Sequence, residues 1–395
     1  MYKENHPSML TNPSIGSLRR LMVFLLTTFL LFLAWPSEAQ THHHTDLLFV
    51  GTYCPADSQG IFVYAFDSQT GKEHLLNAVS GIENPSFLTL SPDHRFLYAV
   101  SETHGASGGH VFAYRWDAQQ AKLHLLNQQP SGGKDPCHLT TDHTGKWLLV
   151  ANYTSGSIAV LPIRPDGSLG APVQVIQHQG HGPNPQRQEG PHVHFVNVTP
   201  DNRFVLVSDL GLDKVFIYRF DARTGKLTPA PQPYVQVDPG AGPRHQAFSP
   251  DYRFLYLIQE MGWKITAFQY HEGQLKAIQT VSTVEPDFHG SNTAADIHLS
   301  PDGRFLYASN RGVLNDIVIF AVYPSTGELK KIDQVASGGK TPRNFVISPD
   351  GRWLLVGHQD ADQIVLFRRN TENGMLTRAG AWYRPRAVCL KMLEE

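Results

Sequence analysis

The chain has 395 residues, with 33 Lys plus Arg against 35 Asp plus Glu and a formal net charge of −2. This balance gives no basic footprint for nucleic acid and no acidic tail, so polyanions are not expected partners. Three cysteines without C-x-x-C spacing, Cys54, Cys137 and Cys389, are too few for a disulfide framework or a zinc site and read as buried small hydrophobes.

At the N-terminus, Arg19 and Arg20 precede an apolar run from Leu21 to Trp35, followed by Pro36 and the small-residue pattern Ser37-Glu38-Ala39. That is the pattern of a secretory signal. The run of about 15 residues is shorter than the roughly 18–20 needed to span a bilayer. Residues 1–39 are therefore expected to be cleaved, leaving Gln40 first in a periplasmic or secreted protein with no membrane association. Residues 40–45 contain His42-His43-His44 and read as a disordered leader rather than a metal tract. Residues 46–392 read as one domain.

Along that domain one unit recurs, as SPDHRFLYAVSE (91–102), TDHTGKWLLVANY (141–153), TPDNRFVLVSDL (199–210), SPDYRFLYLIQE (249–260), SPDGRFLYASNR (300–311) and SPDGRWLLVGHQ (348–359). Each copy is a turn between two runs rich in Phe, Leu, Tyr and Val, hence a β-hairpin. A third strand follows, as in VFIYRFD (215–221), then a T-G-x-L turn such as Thr224-Gly225-Lys226-Leu227, then a fourth strand. Four antiparallel strands at a period of about 50 residues predict an all-β propeller. Six innermost strands are legible, at 84–90, 136–141, 191–198, 243–248, 295–299 and 342–347. The seventh must be RAVCLKM (386–392), whose partner is the orphan strand LLFVGTY (47–53), so N- and C-terminal strands share one blade and close a seven-bladed ring. The insertion at 177–190, rich in Gly, Pro and Gln, reads as a loop.

The turn also fixes register. Six residues before the turn proline stand Ser86, His194, Arg244, Ala295 and Arg343, with Cys137 at the matching place. Antiparallel pairing sets these beside the ends of the following strands, Glu102, Tyr153, Leu210, Glu260, Arg311 and Gln359. All are expected at one mouth of the central channel, with His192, His245, Asp296, His298 and Asn344 as adjacent supports. Three arginines converging where burial of charge is costly point to an anionic or strongly oxygenated ligand. The turn aspartates Asp93, Asp201, Asp251, Asp302 and Asp350 recur in the repeat and read as turn caps.

The chain resembles the lactonase family of seven-bladed propellers, which includes the bacterial propeller-type 6-phosphogluconolactonase and a fungal carboxymuconate cycloisomerase. The likeness spans 46–392 and rests on EGPHVHFVNVTPD (189–201), AGPRHQAFSPDYRFLYLIQE (241–260), AADIHLSPDGRFLYASNR (294–311) and TPRNFVISPDGRWLLVGHQD (341–360). It implies a catalytic set at His194, Arg244, Glu260 and Arg311, with His192 as the other choice of His. The register, which sets His192, His245, Asp296, His298, Arg343, Asn344 and Glu102 at or beside the mouth, makes these the expected substrate contacts. The implied reaction is hydrolysis of a sugar lactone. A His takes a proton from water, Arg244 or Arg311 stabilises the oxyanion, and Glu260 orients an Arg or pairs with the imidazolium. The scheme needs no metal or other cofactor. A calcium-dependent lactonase is disfavoured because the expected mouth is richer in His and Arg than in carboxylates. The competing readings are an exported propeller that binds a glycan or protein without chemistry, and a cycloisomerase.

Overall fold

The computed structural model describes Met1 and residues 45–105 and 108–394. Apart from Met1 the expected signal peptide lies outside the described residues, as do His42-His43-His44. Thr45, expected in the leader, is the first residue of a strand.

Every regular element among the described residues is a β-strand, and the strands form seven four-stranded antiparallel sheets. Blade 1 is composite. Its innermost strand Ala387–Glu394 pairs with Thr45–Thr52, from Asp46 opposite Glu394 to Thr52 opposite Ala387. Ring closure by the two ends of the chain is therefore as the sequence predicts.

The turns are built as their residue types require. Ser249 Oγ donates to Asp251 Oδ1 at 2.7 Å and accepts from Phe254 N–H at 3.0 Å, while Asp251 Oδ1 also accepts from Arg253 N–H at 3.2 Å. Ser300-Asp302 and Ser348-Asp350 repeat the arrangement. In six of the seven blades an aromatic opens the second strand and locks neighbouring blades together. Gly225, at φ +73°, lies so close to the Trp147 indole that a Cβ there would sit 2.4 Å from the ring, and Gly71 stands in the same relation to Trp353 at 2.3 Å. The T-G turn of one blade thus docks on the aromatic of the blade before it, burying apolar surface between sheets.

The innermost strands are irregular where function is expected. Register shifts leave Cys137, His194, Arg244 with His245, Ala295 with Asp296, and Arg343 without a ladder partner. A bulge of this kind re-aims a side chain and increases local twist. In five successive blades it falls on the position six residues before the turn proline, or its equivalent, and the side chains listed below reach the channel from there.

Candidate active site

Glu260, at the end of the second strand of blade 5, is the hub of one channel mouth. Its Oε2 accepts from Arg244 Nε at 2.9 Å and from Arg311 Nη2 at 2.7 Å, and its Oε1 accepts from Arg187 Nη2 at 2.6 Å. Burial raises the Glu260 pKa, but the guanidinium groups of Arg311, Arg244 and Arg187 outweigh it and hold the carboxyl at about 2. Arg244 is held at a second nitrogen, because its Nη1 donates to Ala295 O at 2.6 Å and to His245 Nε2 at 3.2 Å. Arg311 is less committed, since its buried Nε has no partner.

A second carboxylate, Glu102, accepts from Tyr53 OH at 2.9 Å and from Ser86 Oγ. The Arg343 guanidinium lies 5.4 Å from the Tyr53 ring centroid and makes no hydrogen bond or ion pair among the described residues. Tyr53, Glu102 and Arg343, with Arg187, Glu260, Arg311, Cys137, Tyr153 and His194, line a cavity of about 280 Å³. Burial pushes the Cys137 thiol up, so it is a protonated wall group and not a nucleophile.

His194 is 4% exposed, and its Nδ1 is buried without a partner. Burial, and after it the charges of Arg244 and neighbouring cationic groups, holds its pKa well below the usual imidazole value, so the ring is neutral at neutral pH. His192 is placed differently. Its backbone N–H donates to Asp209 Oδ1 at 2.8 Å, and its ring nitrogens lie 3.2 Å from Tyr153 O and 3.1 Å from Glu189 Oε1. The ring stacks on Tyr153 at 4.6 Å, bracing that side chain from outside the cavity.

The mouth thus brings together His194, Arg244, Glu260, Arg311, Arg343 and Glu102. It does not include His245, Asp296, His298 and Asn344, which line a separate cavity reaching Pro250, Ser300 and Pro301, turn residues at the far end of the channel. The expectation of one shared mouth fails for these four because each sits one or more residues further along its inner strand, deeper along the axis. Arg187 was missed, since a Gly- and Pro-rich insertion carries no periodicity to show where it folds. Its anchors are His178, 2.6 Å from Asp209, and Gln188, which donates to Leu210 O and Asp213 Oδ1 at 2.8 Å each. Tyr53 was missed because the first strand has no preceding turn to give its register.

The family model described as "Lactonase, 7-bladed beta-propeller" matches residues 47–392. A 6-phosphogluconolactonase of Bacillus subtilis is 35% identical over 350 residues, 88% of this chain and 98% of that protein. Another, of Formosa agariphila, is 35% identical over 334 residues, 84% and 94% of the two chains. Among solved structures, a periplasmic gluconolactonase of Pseudomonas aeruginosa superposes with a TM-score of 0.84 at 37% identity, covering 88% of this chain and 99% of its own. The chain belongs to the lactonase family of seven-bladed β-propellers.

Proposed function

We propose that the protein hydrolyses a sugar lactone bearing an anionic substituent, as a lactonase of the 6-phosphogluconolactonase type. The observation that carries this reading is the charge of the mouth. Arg187, Arg311 and Arg343 line the cavity with two carboxylates, Glu102 and Glu260, and an uncharged imidazole, and Arg244 adds a fourth guanidinium behind Glu260. Positive charge concentrated in a low-dielectric site favours an anionic ligand and a developing oxyanion.

In this reading His194 takes a proton from water as the water oxygen bonds to the lactone carbonyl carbon. The tetrahedral oxyanion is received by Arg311, which lines the cavity, whereas Arg244 stands outside the lining with its Nε and Nη1 turned to Glu260, Ala295 and His245. Collapse breaks the ring C–O bond, and the imidazolium returns its proton to the departing ring oxygen, giving a hydroxy-acid. Glu260 keeps Arg244 and Arg311 in place. Arg343 and the loop-borne Arg187 hold the anionic substituent. An imidazole of depressed pKa is a weak base by itself, but an anion among the four guanidinium groups offsets their field and raises the basicity of His194 when substrate is bound.

The proposal extends to export, in keeping with the Pseudomonas aeruginosa relative described as periplasmic. The N-terminal pattern at Arg19 to Ala39 agrees with it. The test of function is a panel of glucono-δ-lactone, its 6-phosphate and glucaro-1,5-lactone, which keeps a free carboxylate, corrected for spontaneous opening. Acceleration with a higher kcat/KM for the charged substrates is expected, and no acceleration of any of them would refute the reading. Sequencing of the N-terminus of exported protein should begin at Gln40.

A further inference from the structure

The channel end opposite the arginine mouth holds a cavity of about 390 Å³, within the roughly 300–1,000 Å³ of small-molecule sites. Part of its wall is a row of closely packed, mutually tilted rings. Phe87 and His138 lie 4.2 Å apart, His138 and Phe195 3.9 Å, and Phe195 and His245 4.9 Å. The two cavities share no lining residue.

The polar groups of this second cavity are unevenly satisfied. Its carboxylate, Asp296, is saturated by His245 Nδ1 at 2.7 Å, His298 Nε2 at 3.0 Å, Phe345 N–H at 3.1 Å and Asn344 Nδ2. Nothing of it is left for Lys391, whose ammonium lies 4.5 Å from the Phe87 ring centroid and pairs with no carboxylate among the described residues. His138 accepts from Val196 N–H through Nδ1, so its proton is on Nε2, which meets no acceptor among the described residues. Gln246 is 5% exposed and donates through Nε2 to Ser208 Oγ at 2.8 Å, leaving its buried Oε1 without a partner. One unpaired cation, one unpaired N–H and one buried unpaired acceptor share a cavity also lined by Phe195 and Phe248. Buried polar groups in native proteins are rarely left unmatched, and each unmatched one calls for an explanation.

We infer that this cavity is a second ligand site, for a small hydroxylated carboxylate. The carboxylate would lie on the Lys391 ammonium and the His138 Nε2–H, and a hydroxyl would donate to Gln246 Oε1. The C–H face of the carbon chain would lie against the Phe195 and Phe248 rings. This is the chemical class into which a sugar lactone opens, but the site stands on its own residues and does not depend on the reaction at the other mouth.

The experiment is calorimetric titration of sodium gluconate into the full-length protein, with methyl β-glucoside and sodium acetate as probes carrying only the hydroxyls or only the carboxylate. Gluconate should bind more tightly than either. Lys391→Met should weaken it at least tenfold while lactone opening stays within twofold of wild type, and Arg343→Met should leave this binding in place. Unchanged gluconate affinity in Lys391→Met, or its loss in Arg343→Met instead, overturns the site. If Lys391→Met does not fold, Gln246→Leu removes the acceptor of the ligand hydroxyl, and unchanged affinity there overturns it equally. Lactone opening is assayed in the same preparations, so failure of this site and failure of the lactonase reading are told apart.

Discussion

Asp296 Oδ1 accepts a hydrogen bond from His245 Nδ1 at 2.7 Å, and this contact determines which His245 nitrogen faces Arg244. Burial disfavours the Asp296 charge, but His298 and His245 outweigh it and keep the pKa well below the usual range, so the carboxylate only accepts. His245 must then carry its proton on Nδ1, and burial keeps the ring neutral. Its Nε2 lone pair is left to accept from Arg244 Nη1 at 3.2 Å. The two residues are positioning groups for Arg244, joining the far end of the channel to the mouth.

Asp296→Asn should test this linkage. An amide can offer an N–H to His245, which would turn the imidazole proton toward Arg244 and push the guanidinium away. Removal of such outer partners typically costs about 10- to 100-fold at a functional site, and kcat/KM for lactone opening is expected to fall by that order with KM little changed. Asp296→Ala, which strips the acceptor from a buried cluster, should also lower unfolding stability by about 3–5 kcal/mol in urea titration. Activity at the wild-type level in Asp296→Asn would refute the positioning role.

His194→Ala should reduce kcat by about 10²–10⁴-fold, the usual worth of a general base. The pH profile carries more information. A base must be unprotonated, and the His194 pKa is lowered by burial and then by Arg244. The acid limb of kcat/KM, which reports the free enzyme, should therefore lie well below pH 6.5. The acid limb of kcat, which reports the enzyme with its anionic substrate bound, should lie at higher pH. Coincident limbs would refute the coupling between substrate charge and His194.

Glu260 makes acid stability a property of the mouth. Its pKa falls from 4.5 to about 2 on folding, because three guanidinium groups overcome the cost of burial. A depressed carboxylate contributes stability that is fully present above the unfolded-state value and is lost as pH falls toward the folded one. The loss should fall between about pH 4.5 and pH 2 and amount to about 3 kcal/mol. Thermal melts across that window should show a steeper fall for wild type than for Glu260→Gln, which will be less stable at pH 7 because Arg187, Arg244 and Arg311 lose their shared anion.

The repeat exposed both the fold and half the site, for one physical reason. A propeller is quasi-periodic, so a residue that breaks the repeat while occupying a repeat position, such as His194 or Arg343, stands out against its equivalents. Depth along the axis was not legible, because register in a regular strand alternates faces while the inner strands bulge. At Arg244 and His245 two consecutive residues fall in the bulge and serve different cavities. Arg187 was illegible for the opposite reason. Its loop has no period, and only the buried His178–Asp209 contact and the Gln188 bonds reveal that it folds over Glu260.

Arg187 gives a specificity prediction. It is the mouth's most solvent-accessible guanidinium, with 39% of its side chain exposed. Arg187→Ala should raise KM for the 6-phosphorylated lactone by about tenfold, the worth of roughly one charge-assisted hydrogen bond partly screened by water. The effect on plain glucono-δ-lactone should be no more than about twofold. Equal effects on both substrates would mean that Arg187 acts through Glu260 and not on the substituent.

Closure of the ring gives the last prediction. Val388, Cys389 and Leu390 of the final strand are at most 1% exposed, and the strand pairs with Thr45–Thr52 from Asp46 to Thr52. Removing it would strip the hydrogen-bond ladder from Thr45–Thr52 and open the blade at the channel, where an unpaired edge also invites aggregation. Deleting 387–395 should abolish a single cooperative melt, whereas Leu390→Ala, which leaves the ladder intact, should cost about 2–5 kcal/mol. The two variants separate the backbone contribution to closure from the packing contribution. A truncated chain that melted cooperatively at the wild-type temperature would show that blade 1 is stable with three strands and that the chain ends do not hold the ring shut.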